Sequence, residues 1–149
     1  MSESNWLFEL TNALQPVRRA WIQASAAATA DSGIPFPVAT AVVLLARLGD
    51  GAQQSTLAEL AGVNPAAMLR TLDQAEALGL CERREISNNR RIKPLHLLPA
   101  GKVLATRVEH QLAELREEMF AGIDPDEIES AVRTLRAFEE RILSHLSKS

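Results

Sequence analysis

Four consecutive residues, Gly62-Val63-Asn64-Pro65, constrain this chain more than any other stretch. Glycine takes the left-handed backbone that closes a helix without steric penalty. An asparagine side chain then accepts from an amide that a new helix leaves open, and a proline in the first turn gives up only an amide that would be unpaired anyway. One helix must therefore end and another begin within a few residues, so two short helices meet at a tight turn. Thr56, with Glu59 three residues later, has capping-box spacing and sets the expected start of the first helix of the pair. The second is expected over 64–79, closed by Gly79.

After Gly79 the apolar period shortens from helical to strand-like. Leu80 to Ile86 predicts one strand, Ser87-Asn88-Asn89-Arg90 a turn, and Arg91 to Leu97 a second strand, giving a hairpin with a basic tip. Pro94 has no amide hydrogen to donate, so the second strand is expected at the edge of a sheet of two or three strands. A helix pair followed by a basic hairpin is the order of a winged helix-turn-helix. Its second helix can enter the major groove by its amino end while the hairpin reaches along the backbone toward the minor groove.

The remainder is helical. Trp6, Leu10, Leu14, Val17, Trp21, Ala24 and Ala28 recur every three or four residues and predict a helix over 5–30, ended by Asp31-Ser32-Gly33. Pro35 and Pro37 bracket a connection to a second helix, Val38 to Leu48, with Val38, Val42, Leu45 and Leu48 as its buried face. Pro99-Ala100-Gly101 opens a helix whose stripe is Leu104, Val108, Leu112, Leu115 and Met119. Asp124-Pro125-Asp126-Glu127 starts the last one, with a cap, a first-turn proline and acids favoured by the helix dipole. Along it Ile128, Leu135 and Ile142 alternate with Ala131, Phe138 and His145 at heptad spacing as far as Leu146. The expected fold is mainly α with one small β-hairpin. Region 36–97 forms the winged helix, and helices 5–30 and 98–146, apolar along one stripe each, need a partner, so a homodimer is expected.

A length of 149 residues with 46% hydrophobic content suits one domain with a packed core. One cysteine allows no internal disulfide, and no amino-terminal stretch has the pattern of a signal peptide, which makes the cytoplasm the expected compartment. The longest apolar run, 38–46, falls far short of the roughly 20 residues of a membrane span, so no membrane partner is expected. The net charge of −3 hides an uneven distribution: in 83–102, Arg83, Arg84, Arg90, Arg91, Lys93 and Lys102 face Glu85 alone. At physiological salt fields are screened beyond about 8 Å, so a local basic segment on an acidic body can still bind phosphate.

On the second helix of the pair, Met68, Leu72, Ala75 and Leu78 share an inward face, leaving Pro65, Ala66, Leu69, Arg70 and Asp73 outward. Arg70 suits a phosphate; its bland alternative is an ion pair with Asp73 or Glu76 on the same helix. Ala66 and Leu69 carry no hydrogen-bonding group, so they can read only a thymine methyl or groove shape. The candidate DNA contacts are thus Thr56, Asn64, Pro65, Ala66, Leu69 and Arg70 from the helix pair, with Asn88, Arg90, Arg91 and Lys93 from a wing over 84–93. A solvated charged hairpin is the competing reading of the wing.

No chemistry beyond binding is announced. The chain has no glycine-rich phosphate loop, no nucleophile elbow and no paired carboxylates at a strand end, and Glu117-Glu118 reads as a solvated helix face. His96, His110 and His145 lie in three different elements without ligand spacing, so neither a metal nor another cofactor is expected. Alternation places Cys81 on a buried strand face, where it reads as a small core residue. The rival function is a winged-helix module that binds another protein and not DNA, suggested by the acidic body and the apolar Ala66 and Leu69.

Two segments add a family resemblance. Residues 66–73, Ala-Ala-Met-Leu-Arg-Thr-Leu-Asp, followed by Gly79-Leu80-Cys81-Glu82-Arg83, resemble the recognition helix and strand entry of MarR (multiple-antibiotic-resistance regulator) proteins. Asn89-Arg90-Arg91 and Leu97-Leu98-Pro99-Ala100-Gly101 sit at the spacing of that family's wing motif, Asp-x-Arg followed by Leu-Thr-x-x-Gly. Asn89 stands where the family has aspartate, which removes a charge-assisted hold on the wing arginine, and Leu98 replaces a threonine that could cap the following helix. The resemblance covers nearly the whole of 1–149 as a single unit. It implies a cytoplasmic, dimeric, ligand-responsive repressor of transcription on double-stranded DNA. The dimer would be held by the first, fifth and sixth helices, through Trp6, Leu10, Leu115, Ile128, Leu135, Phe138 and Ile142. A small aromatic or anionic effector would lodge between those helices and the winged helix.

Overall fold

The computed structural model describes residues 2–84 and 93–149. Its elements run α1 (Glu3–Ala28), a turn of 3-10 helix (Ala30–Ser32), α2 (Phe36–Leu48), α3 (Gln54–Ala61), α4 (Pro65–Ala77), β1 (Cys81–Arg83), β2 (Leu95–Leu97), α5 (Pro99–Met119) and α6 (Pro125–Ser147). The fold is mainly helical with one antiparallel strand pair. Two compact units divide it, one ending at Leu115 and the other running from Arg116 to Ser149.

The core of the first unit is organised around α2. Val38, Ala39, Ala41, Val42, Val43 and Leu45 are all buried, and a helix apolar on most sides has to be enclosed. α3, α4 and β2 pack against it. Leu57 and Ala58 from α3, Met68, Leu72 and Ala75 from α4, Leu80 before the strands, Cys81, Leu95 and Leu97 on them, and Leu104, Ala105 and Val108 from α5 complete the cluster. Leu48, expected inside, is exposed, because it is the last residue of α2 and lies past the elements that cover the rest of the helix.

Strands β1 and β2 pair with Cys81 opposite Leu97, Glu82 opposite His96 and Arg83 opposite Leu95. Leu95 is also bridged on its other side: its amide donates to the Ala52 carbonyl at 2.9 Å, and the Gly51 amide donates to the Leu95 carbonyl at 3.0 Å. Both strands of this two-stranded sheet lie at its edges, as Pro94 predicts for the second, and Leu95 carries only an isolated bridge on its outer side. The proline precedes the first strand residue, so its missing amide falls outside the ladder, while its carbonyl accepts from the Arg84 amide at 3.0 Å. The parts of the predicted hairpin over 85–92 lie outside the described residues.

The same bridge corrects the start of α3. The helix begins at Gln54, with Gln53 as its cap position and no side-chain cap, so Thr56 sits inside it. Pairing of Gly51 and Ala52 with β2 fixes where the chain arrives, and the helix resumes directly after it.

In the second unit, the Asp124 carboxylate accepts from the Asp126 amide at 2.9 Å and opens α6 as its sequence predicts. No residue of α6 is buried in the single chain. Among the described residues no helix is long and apolar enough to cross a membrane.

Candidate nucleic-acid interface

The turn between α3 and α4 is built by local chemistry. Gly62 has φ of +68°, the left-handed region that an L side chain enters only with strain. Its amide donates to the Glu59 carbonyl at 3.1 Å and the Val63 amide to the Ala58 carbonyl at 3.1 Å, which satisfies carbonyls that the helix end exposes. Arg18 of α1 also reaches this end of α3, donating to the Ala61 carbonyl at 3.4 Å, and a side chain on Gly62 would meet its guanidinium at 3.2 Å. One residue later the Asn64 side-chain oxygen accepts from the Ala67 amide at 2.8 Å, and Pro65 takes the first helical position. The expected capped start of α4 is present.

Met68, Leu72 and Ala75 anchor α4 to the core, so Pro65, Ala66, Leu69, Arg70 and Asp73 face outward. Leu69 is 44% exposed. Leu78 departs from the predicted inward face and is exposed, because the helix has already ended and this residue occupies its C-cap.

The charges around α4 are arranged by a residue that sequence reasoning did not single out. Arg83, on β1, donates from Nη1 to Asp73 Oδ1 at 2.9 Å and to Glu76 Oε2 at 2.6 Å. Its amide donates to Glu76 Oε1 at 2.9 Å, and its side chain is only 17% exposed. The two carboxylates considered as partners for Arg70 are thereby committed elsewhere, and Arg70 makes no ion pair with a described residue. Helical spacing pointed from Asp73 to Arg70, three residues apart; only the return of β1 alongside α4 brings Arg83 within reach. Arg84 likewise pairs with Glu82 at 2.5 Å. Among the described cations of 83–102, Arg83 and Arg84 are thus matched locally.

Of the remaining predicted contacts, Thr56 is exposed but within α3, and Lys93 is exposed just before Pro94. Asn88, Arg90 and Arg91 lie outside the described residues. Of the residues expected to pair two copies, Trp6, Leu10, Leu135 and Ile142 are exposed in the single chain, Trp6 by 60%. Leu115, Ile128 and Phe138 are half-buried. Cys81 is buried in the core, and burial pushes its thiol up to about 11, with Glu76 adding to the shift and Arg83 opposing it.

A cleft of about 560 Å³ lies between the end of α2 and the first turns of α5. Leu45, Ala46, Leu97 and Ala105 give it an apolar wall, and Asp50, Lys102, Thr106 and Glu109 are its polar members. Glu109 also accepts from Arg47 at 2.7 Å, which ties α2 to α5 beside the cleft.

A short helix, a glycine turn, an exposed capped helix packed on the core and an antiparallel strand pair directly after it define a winged helix-turn-helix. That class uses the second helix of the pair to meet DNA. Residues 39–93 match the model of the MarR family, and the chain carries the winged helix and the fold of MarR-family transcriptional regulators. It is similar to the transcriptional regulator PA3341, at 28% identity, a TM-score of 0.80 and coverage of 94% of this chain and 99% of that one. RV1404 from Mycobacterium tuberculosis is also 28% identical, with a TM-score of 0.66 and 95% of both chains covered. The transcriptional regulator BldR from Sulfolobus solfataricus shares the fold, with a TM-score of 0.81 at 20% identity over 95% of this chain and 99% of that one. The fold and the family match support a DNA-binding regulator.

Proposed function

We propose that this chain is a homodimeric, ligand-responsive repressor that binds a pseudo-palindromic operator with α4 in the major groove and the basic wing on the flanking backbone. One observation carries the reading. The outward side of the amino-terminal half of α4 is exposed, with Arg70 unmatched by a described carboxylate, while Arg83 pairs with Asp73 and Glu76 and offsets one of their two charges. A surface that meets phosphates has to limit repulsion from its own acids, and Arg83 halves the charge of this pair. The capped helix start adds outward amides and the positive end of a helix dipole.

In this reading Arg70, Arg90, Arg91 and Lys93 contact phosphate, Thr56 and Asn64 support the approach, and Pro65, Ala66 and Leu69 face the base edges. Trp6, Leu10, Leu115, Ile128, Leu135, Phe138 and Ile142 cover their exposed apolar area against a second copy. Two winged helices related by a two-fold axis would address half-sites about 34 to 36 Å apart. A small aromatic or anionic effector would lodge between the dimerisation helices and the winged helix. It would act through different affinities for the arrangements of the dimer that do and do not fit DNA.

The test is a gel-shift series over salt concentration, using DNA upstream of the chain's own gene, for the parent and for Arg70→Ala and Arg91→Ala. Each lost phosphate contact should weaken binding and reduce the slope of log affinity against log salt by about one unit. Unchanged affinity and slope in both variants would remove the assigned roles. Failure of the parent to bind DNA at low salt would favour a protein partner for the exposed Leu60, Val63 and Leu69.

A further inference from the structure

We infer that sequence selection by this chain rests on thymine methyl groups, read by Leu69 and Ala66; the inference depends on the DNA-binding reading above. The starting point is an inventory of what the groove-facing part of α4 can offer. Asn64 has its side-chain oxygen committed to the Ala67 amide. Pro65 has neither a donor nor a polar side chain. Ala66 and Leu69 are exposed and wholly apolar. Asp73 is held by Arg83 at 2.9 Å, and an unpaired carboxylate would in any case be repelled by the backbone. Gln74, the next exposed amide, stands five residues beyond Leu69, about 7.5 Å farther along the helix axis. Among the described residues of the first two turns, Arg70 alone brings charged donors outward; the neutral ones are the Asn64 side-chain NH2 at the cap and the half-buried Thr71 hydroxyl.

The edges of the base pairs then decide what such a surface can select. In the major groove every base presents a hydrogen-bonding group, and thymine alone adds a methyl, on C5 beside its O4 acceptor. Pressing Leu69 against N7, O6 or an amino group would strip water from a polar atom and return no hydrogen bond, whereas a methyl loses water favourably. Ala66 and Leu69 are three residues apart on one helix face, so their β-carbons stand roughly 5 to 6 Å from each other. With a rise of about 3.4 Å per base pair, that separation matches thymines one to two steps apart in each half-site. Arg70, next to Leu69 in sequence, supplies the charge that holds the helix against the groove.

The experiment selects bound duplexes from a randomised DNA pool, then resynthesises a selected duplex with deoxyuridine in place of thymine at the enriched positions. Uracil pairs as thymine does and lacks only the methyl. The parent protein should bind the uracil duplex roughly fourfold more weakly for each buried methyl lost, and roughly fifteenfold more weakly when one is lost from each half-site. In Leu69→Ala, a substitution at an exposed position, the ratio at one thymine should fall toward one. Equal affinity of the parent for thymine and uracil duplexes, or selection without thymine enrichment, would overturn this inference and leave DNA binding standing. A thymine preference fully retained in Leu69→Ala would assign it to duplex shape and also overturn the inference. Failure of the parent to retain any duplex at low salt would overturn the proposed function itself.

Discussion

Gly101 gives the sharpest test of the packing that holds the winged helix together. It lies in the first turn of α5, and a β-carbon added there would stand 2.1 Å from the Leu80 carbonyl oxygen and 3.0 Å from the Leu97 Cδ2. Two effects oppose each other in Gly101→Ala. Alanine is the better helix former by about 1 kcal/mol. Against that, the contact with a backbone oxygen is more than 1 Å too short, and neither partner yields easily. The Leu80 carbonyl accepts from the Leu98 amide at 3.0 Å, while the Leu80 amide donates to the Ala75 carbonyl at 3.0 Å. Relief requires α5 to move away from the strand entry, at about 1–3 kcal/mol for overpacking and about 1 kcal/mol for the weakened Leu98 bond. The net loss is about 1–3 kcal/mol, which for a chain of this length lowers the melting temperature by roughly 3–10 °C. Thermal unfolding followed by circular dichroism, with parent and variant at one fixed concentration because dimerisation would stabilise both, reads the shift. A melting temperature unchanged or raised would show that helix propensity wins and that α5 does not approach Leu80 this closely.

Other outcomes follow from the same geometry. Asn64→Ala removes the cap of α4 and should cost about 1 kcal/mol, seen as a lower urea midpoint; an unshifted midpoint would deny the cap any energetic role. Cys81 should resist a thiol reagent at pH 8 in the folded protein and react after unfolding, and rapid stoichiometric labelling of the native chain would contradict its burial. Because its folded pKa of about 11 lies above the ordinary 9.0, the unfolded thiol ionises first, so stability should fall as pH rises from about 9 toward 11. Cys81→Ala should show a flatter decline in that window. Sedimentation at micromolar concentration should give a dimer, and a clean monomer would leave Trp6, Leu10, Leu135 and Ile142 without the cover proposed for them.

The sequence by itself determined where most helices begin and end. Gly62, Asn64-Pro65, Gly79 and Asp124-Pro125 act through bonds within a few residues, so their effect does not depend on what packs around them. It also determined the α4 faces at Met68, Leu72 and Ala75, because a 3.6-residue period fixes which side chains share a side. Long-range contact decided the rest. Pairing of Ala52 with Leu95 moved the start of α3 ahead of Thr56 and added an isolated bridge on the outer side of β2. The approach of α5 to Leu80 explains why position 101 of the wing motif carries glycine. The return of β1 along α4 gave Asp73 and Glu76 to Arg83 and left the outward Arg70 without a described carboxylate partner. Such pairings depend on distances between residues far apart in the chain, and periodicity along one element carries no information about which charge another element will bring beside it.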